Sequence, residues 1–262
     1  MALISLMSAN GSPGVTTSAL GLALAWPRPC LLVEADPTGG SGVFAGYFRG
    51  ESTHAEGLID LAVSNRQGTL GDDLPKVTMT IPDTTVQFLP GIRSHTQARS
   101  LGSLWEPLTS VLRALERNGQ DVIVDAGRLG IAGFADQLVE ASDLALLVTR
   151  SHLPAIAGAR SWAGTLTETF ERNGASANLG LMVVGQSQPY GTREVSKALD
   201  LPAISSITWD PVSAEVFSRG SQPGNKFSSA QLPKSFHAAT SAIGSRLSDI
   251  RASLTIEGVT HA

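Results

Sequence analysis

The sequence is short of lysine, of cysteine and of long apolar runs, and each shortage excludes something. Its lysines are Lys76, Lys197, Lys226 and Lys234, and no cluster of basic residues occurs anywhere. With a formal net charge of -4 and an isoelectric point near 5.7, the chain has no general attraction for nucleic acid. The single cysteine, Cys30, has no partner for an internal disulfide. It opens the apolar run CLLVEA, which reads as a buried strand and fits a reducing, cytoplasmic setting. No apolar stretch reaches the roughly 18 to 20 residues that cross a bilayer, and the N-terminus lacks the basic start of a secretory signal, so a soluble protein is expected. The five histidines, His54, His95, His152, His237 and His261, pair with no cysteine or carboxylate at a metal-ligand spacing and are expected on surfaces or in loops. The serines of GSPG and GGSG do not form the G-x-S-x-G elbow of a hydrolase. Internal repeats are absent.

What is present is ample for a core. The 262 residues are 42% hydrophobic and 16% charged, which suits one large α/β domain over residues 1–262. Apolar runs that fit buried strands are Leu3 to Ser8, Leu31 to Ala35, Val86 to Leu89, Val122 to Asp125, Leu144 to Thr149, Leu179 to Val184 and Ala203 to Ile207, about seven in all. Helical patterns lie between them at Thr16 to Ala25, Ala55 to Asn65, Ser100 to Arg117, Phe134 to Ala141, Ala155 to Arg172 and Arg193 to Leu199, with a terminal helix from Lys234 to Leu254. Continuous apolar strands alternating with helices predict a doubly wound, mostly parallel sheet covered by helices on both faces. Gln67 to Thr85 is expected to be irregular, and Ser218 to Ser229 a polar loop.

The first strand leads into SLMSANGSPGVTTSALGLALAW, an apolar strand, a small-residue loop and an apolar helix. This is the layout of a P-loop, in which backbone N–H groups and a helix N-terminus face a phosphate. Gly11 and Gly14 allow the tight path through Ser12, and Thr16, followed by Thr17, stands where a hydroxyl would hold Mg²⁺. A strict G-x-x-x-x-G-K-[ST] pattern fails, because Ala9 replaces the first glycine, Val15 replaces the lysine, and Pro13 removes one N–H. An ordinary strand-to-helix turn explains the stretch equally well when it is read alone.

Further pieces follow in order: LLVEADPTGG, QFLPGIRS, DVIVDAGRLG, ALLVTRS and LPAISSITWDP. In that succession the chain resembles the ParA/MinD family of deviant Walker A ATPases over nearly its whole length. The resemblance implies a P-loop NTPase-like fold, ATP or ADP with Mg²⁺ as ligand, and a homodimer with protein partners. It also implies roles. Asp36 would orient the attacking water, Asp125 and Thr16 would hold the metal, and Asn10, Gly11, Ser12, Gly14, Val15, Thr16 and Thr17 would line the nucleotide site. Each acid has a plain alternative as the cap of the turn that follows its strand. The family's two loop lysines fall on Asn10 and Val15, and its base-contacting asparagine falls near Gly185. Losing a charge-assisted contact costs roughly 1.5 to 3 kcal/mol of binding, and losing a preorganised charge costs about 10² to 10³ in rate. Weak binding therefore survives this substitution better than turnover does.

The terminal helix carries an apolar stripe of Phe236, Ile243, Leu247, Ile250 and Leu254 with few cations, which suits packing on the domain better than lying on lipid. Trp26, Trp105, Trp162 and Trp209 are expected as core or interface anchors. The whole is similar to a degenerate ParA/MinD protein, a positioning or scaffold factor of the TadZ/CpaE type without an added receiver domain. An active partitioning or cell-division ATPase is the alternative, and a DNA-binding partition factor a third.

Overall fold

The computed structural model describes residues 2–52 and 56–260, with side chains up to residue 253. His54, Ala55, His261 and the Leu254 side chain lie outside them. In chain order the elements are β1 (Leu3–Ser8), α1 (Val15–Ala25), β2 (Cys30–Glu34), α2 (Leu58–Gln67), α3 (Leu70–Val77), β3 (Met79–Thr80), β4 (Gln87–Leu89), α4 (Trp105–Ala114) and β5 (Asp121–Arg128). Then come α5 (Asp136–Glu140), β6 (Leu144–Arg150), α6 (Leu153–Arg172), β7 (Leu179–Val184), α7 (Thr192–Leu199), β8 (Ala203–Ile207), α8 (Pro211–Ser218) and α9 (Gln231–Thr260). The strands form one 8-stranded sheet in the order β3-β4-β2-β5-β1-β6-β7-β8. Every pairing is parallel except β3 with β4.

Strand alternation divides the core into two layers. Leu3, Met7, Val122 and Val124 join the layer built with α2, α4, α5 and α6, whereas Ile4, Leu6 and Ile123 join the layer built with α1, α8 and α9. α1 is apolar nearly all round because it is wedged between the sheet and α9. Its close approach to α9 depends on Gly21, where a Cβ would run into the Phe236 ring. Phe236, Ile243, Leu247 and Ile250 are all buried, so the described part of the apolar stripe packs on the sheet layer, as its composition suggests. Trp105 is equally buried. Trp105 is thus a core anchor, and neither it nor those stripe residues are available to a dimer interface.

The far ends of the strands are tied by a buried acid. Asp121 accepts the Ala2 N–H at 2.6 Å and the Trp26 indole N–H at 2.7 Å, and pairs with Arg28 at 2.7 Å. With three donors satisfied, the charge tolerates complete burial. Cys30 lies beside this knot, its Sγ 3.5 Å from the Ala23 carbonyl, and burial together with the Asp121 charge pushes its thiol up to about 12.

Several elements differ from the sequence reading. Gln67 to Thr85 is not irregular: it contains α3, whose Leu70, Leu74 and Val77 are buried, and the two-residue edge strand β3, which makes an eighth strand. Pro75 is tolerated inside so short a helix. The helix expected over Ser100 to Arg117 is α4 flanked by 3-10 turns at His95–Leu101 and Leu115–Asn118. α8 was not anticipated, and Ser218 to Ser229 includes a 3-10 turn at Phe227–Ser229.

Candidate phosphate-binding site

β1 is central in the sheet, and the chain leaves it first toward β2 and later, through β6, toward the opposite edge. Ligands of open α/β sheets sit at such a reversal, beyond the carboxyl ends of the strands. The Ala9–Gly14 loop lies there. Gly11, Ser12 and Gly14 adopt left-handed φ values of 70°, 44° and 101°. This path folds the loop tightly around the start of α1. Gly14 is the N-cap of α1 and offers no side-chain acceptor to the N–H groups of the first turn. The loop floors a cleft of about 710 Å³ that runs past Arg128 and Arg150 to Trp209 and Glu215.

β5 brings the acids to this loop. Asp125 is not at the strand's end, as expected, because β5 continues to Arg128. The register slips there: Leu6 pairs with Asp125 but Ser8 pairs with Arg128, a bulge formed at Ala126 and Gly127. Asp125 is buried, accepts the Gly127 N–H on Oδ1 at 3.0 Å, and leaves Oδ2 without a hydrogen-bond partner. Burial pushes its carboxyl up to about 7, with Asp36 and Glu34 adding to the rise and the Thr16 hydroxyl opposing it. Asp36 follows β2, rests against Gly127, and accepts the Thr38 N–H at 2.9 Å. The turn-capping alternative for Asp36 is thus realised in the same geometry that presents the acid to the cleft. Glu34 is buried, accepts the Ser41 hydroxyl at 2.9 Å and the Gly91 N–H at 3.1 Å, and its carboxyl is raised chiefly by burial.

Thr16, Asp36 and Asp125 are therefore brought together at the loop, with Ser12, Gly14, Val15 and Thr17 lining the same cleft. Among the described residues no three His, Cys, Asp or Glu side chains form a metal-holding group. Magnesium binds through one or two protein oxygens plus phosphate, and the unpartnered Asp125 Oδ2 beside the Thr16 hydroxyl fits that requirement.

The two lysine positions are filled differently. Val15 is 7% exposed and packs into the α1 core layer. The Asn10 amide rests on Gly158 of α6, where a Cβ would collide with it. None of the four lysines lines the cleft. Arginines do, which a search for lysines overlooks: Arg128, Arg150 and Arg219. Arg219 pairs with Glu215 at 3.2 Å, and Arg150 stacks on Trp209 with its Cζ 3.4 Å from the ring centroid, its pKa lowered by burial. Trp209 is 39% exposed and stands beside Gly185, so it is a cleft residue instead of a core anchor. His152 caps α6 by accepting the Ala155 N–H on Nδ1 at 3.3 Å, a structural role the spacing did not show.

The parallel order, the strand-one loop and the helices on both faces define a P-loop NTPase-like fold of the MinD/ParA kind. The septum-site-determining protein MinD of Pyrococcus horikoshii, solved with Mg-ADP, superposes with a TM-score of 0.68 at 19% identity, covering 92% of this chain and 94% of that one. A ParA family ATPase from Chlorobium tepidum gives 0.68 at 16% identity over 91% and 97%. The MinC:MinD cell division complex of Aquifex aeolicus gives 0.70 at 17% identity over 94% and 96%. No family model and no curated protein matches the sequence. Among the described residues no helix is long and apolar enough to cross a membrane.

Proposed function

We propose that this chain is a nucleotide-binding positioning or scaffold factor of ParA/MinD type, with weak or no ATP hydrolysis. One observation carries the reading: the strand-one loop folds back over the start of α1 through left-handed Gly11, Ser12 and Gly14, while residues 10 and 15 are spent inside the subunit, Val15 in the core and Asn10 on Gly158. The loop N–H groups would bind phosphate, and Thr16 and Asp125 would hold Mg²⁺, which supplies charge neutralisation when bound. Asp36 would orient a water, but without two preorganised cations the charge that develops in phosphoryl transfer would be poorly stabilised.

The solved MinD with Mg-ADP supports the ligand class, and the MinC:MinD complex supports a protein partner. Leu153 and Val212, 61% and 80% exposed in the first turns of α6 and α8, offer apolar contacts for one. A homodimer, a single-domain organisation and a TadZ/CpaE-type role in localising pilus or secretion machinery belong to the same proposal. The gathering of Thr16, Asp36 and Asp125 favours one rival, an active partitioning or cell-division ATPase. Phosphate release with Mg-ATP, measured beside Asp36→Ala, separates the two. Background turnover in both proteins is expected, and turnover that Asp36→Ala abolishes would establish the rival.

A further inference from the structure

The cleft contains a cation with no partner among the described residues. Arg128 ends β5, and the bulge at Ala126 and Gly127 brings its Cα opposite that of Ser8, the last strand residue before the phosphate loop. The Leu129 N–H donates to the Ser8 carbonyl at 2.9 Å, so backbone hydrogen bonding fixes this placement. The Arg128 side chain is exposed and lines the same cleft as Ser12, Gly14, Thr16 and Thr17. It forms no ion pair or side-chain hydrogen bond among the described residues. The other two arginines of the cleft are committed, Arg219 to Glu215 and Arg150 to the Trp209 ring. The acids at the loop, Glu34, Asp36 and Asp125, form no ion pair among the described residues. A di- or triphosphate entering beside them would meet repulsion unless positive charge came from elsewhere.

We propose that Arg128 supplies, from within its own subunit, the phosphate-neutralising charge that Asn10 and Val15 do not. This rests on the nucleotide-binding reading above and specifies how that site works. A guanidinium suits the task, because its planar donors can bridge two phosphate oxygens. Its position beside Ser8 places it on the strand side of the loop, whereas a lysine at residue 15 would approach from the helix side. Recognition is thereby directed to the polyphosphate and is independent of the base.

The test is calorimetric titration of the whole chain and of Arg128→Ala, Arg128→Lys and Arg150→Ala with Mg-ADP, inorganic tripolyphosphate and adenosine. Arg128→Ala is expected to weaken Mg-ADP and tripolyphosphate by roughly ten- to a hundredfold. Adenosine binding and the melting temperature should not change, since the side chain is exposed and has no partner among the described residues. Arg128→Lys should recover part of the loss, and Arg150→Ala, whose guanidinium is held on the Trp209 ring, should cost tripolyphosphate less than Arg128→Ala does. Full tripolyphosphate affinity in Arg128→Ala overturns the proposal while the nucleotide reading stands, and so does an equal loss of adenosine. Absence of both Mg-ADP and tripolyphosphate binding in the unmodified chain overturns the nucleotide reading and this proposal with it.

Discussion

The Asp36 carboxylate stands directly over Gly127, where a Cβ would lie 2.7 Å from either oxygen. Gly127 also has a φ of 69°, so its lack of a side chain serves both the bulge and the acid. Gly119 provides a control: its φ is 67° but a Cβ there would meet nothing within 4 Å. Gly119→Ala is expected to lose about 1 to 2 kcal/mol, the ordinary cost of a left-handed alanine. Gly127→Ala should lose more and should also weaken Mg-ADP, because Asp36 must move. Denaturant titrations of the pair check this, and equal losses would show that the Asp36 contact carries no strain.

Asp125 gives the protein a definite pH response. Its carboxyl is held at about 7 when folded, against an ordinary value of 3.8, so between those values the folded chain binds a proton that the unfolded chain has released. Its contribution to stability is therefore greatest at the acid end, falls as pH rises toward 7, and levels off above it. The full span corresponds to roughly 4 kcal/mol at most. Buried Glu34, also raised, acts in the same direction. In chelator, Asp125→Asn should be more stable than the unmodified chain at pH 8 and should lose much of this slope. Thermal melts across about pH 5 to 8, where folded proteins tend to be most stable, would show parallel profiles if the burial of Asp125 were without consequence.

Asn10 and Gly158 form a pair suited to a double-mutant cycle. Gly158 lies inside α6, where alanine is ordinarily better by about 0.8 to 1.0 kcal/mol. Here its Cβ would strike the Asn10 amide. Gly158→Ala alone should therefore destabilise, and adding Asn10→Ala should restore the propensity gain; additive effects would refute the contact. The same contact keeps Asn10 on its own subunit. Self-association followed by light scattering should accordingly be the same with and without Mg-ATP, and a monomer that dimerises only on adding ATP would contradict this.

Restoring the loop lysine separates binding from packing. Val15→Lys should strengthen Mg-ADP by about tenfold or more, since a charge-assisted contact is regained. It should also lower stability by roughly 1.5 to 3 kcal/mol, because Val15 is buried in the α1 layer. Calorimetry and melting of the same variant report both, and a lysine that changes neither would mean that residue 15 does not face the phosphate.

Much of this architecture could be read from the chain because its signals are local. The apolar runs marked β1, β2, β4, β5, β6, β7 and β8, and the small residues from Ala9 to Thr17 marked the loop. α3 was hidden by Gly71, Asp72, Asp73 and Pro75, although Leu70, Leu74 and Val77 repeat at helical spacing. α8 had an available sign in Asp210 before Pro211, an N-cap whose carboxylate accepts the Ser213 N–H at 3.1 Å. The Arg150–Trp209 stack had none, since it joins residues from the ends of separate strands. Arg128 was in plain view within DVIVDAGRLG, but its place beside Ser8 depends on a bulge that no sequence pattern announced.

The sealed environment of Cys30 has a practical consequence. A thiol that is 1% exposed and ionises only near 12 presents almost no thiolate to a maleimide or disulfide reagent while the chain is folded. The native protein can therefore carry a fluorophore or spin label on an engineered surface cysteine without first removing its own. Any slow labelling of Cys30 then becomes a clock for the opening of the β2 and α1 layer, readable in the same experiment.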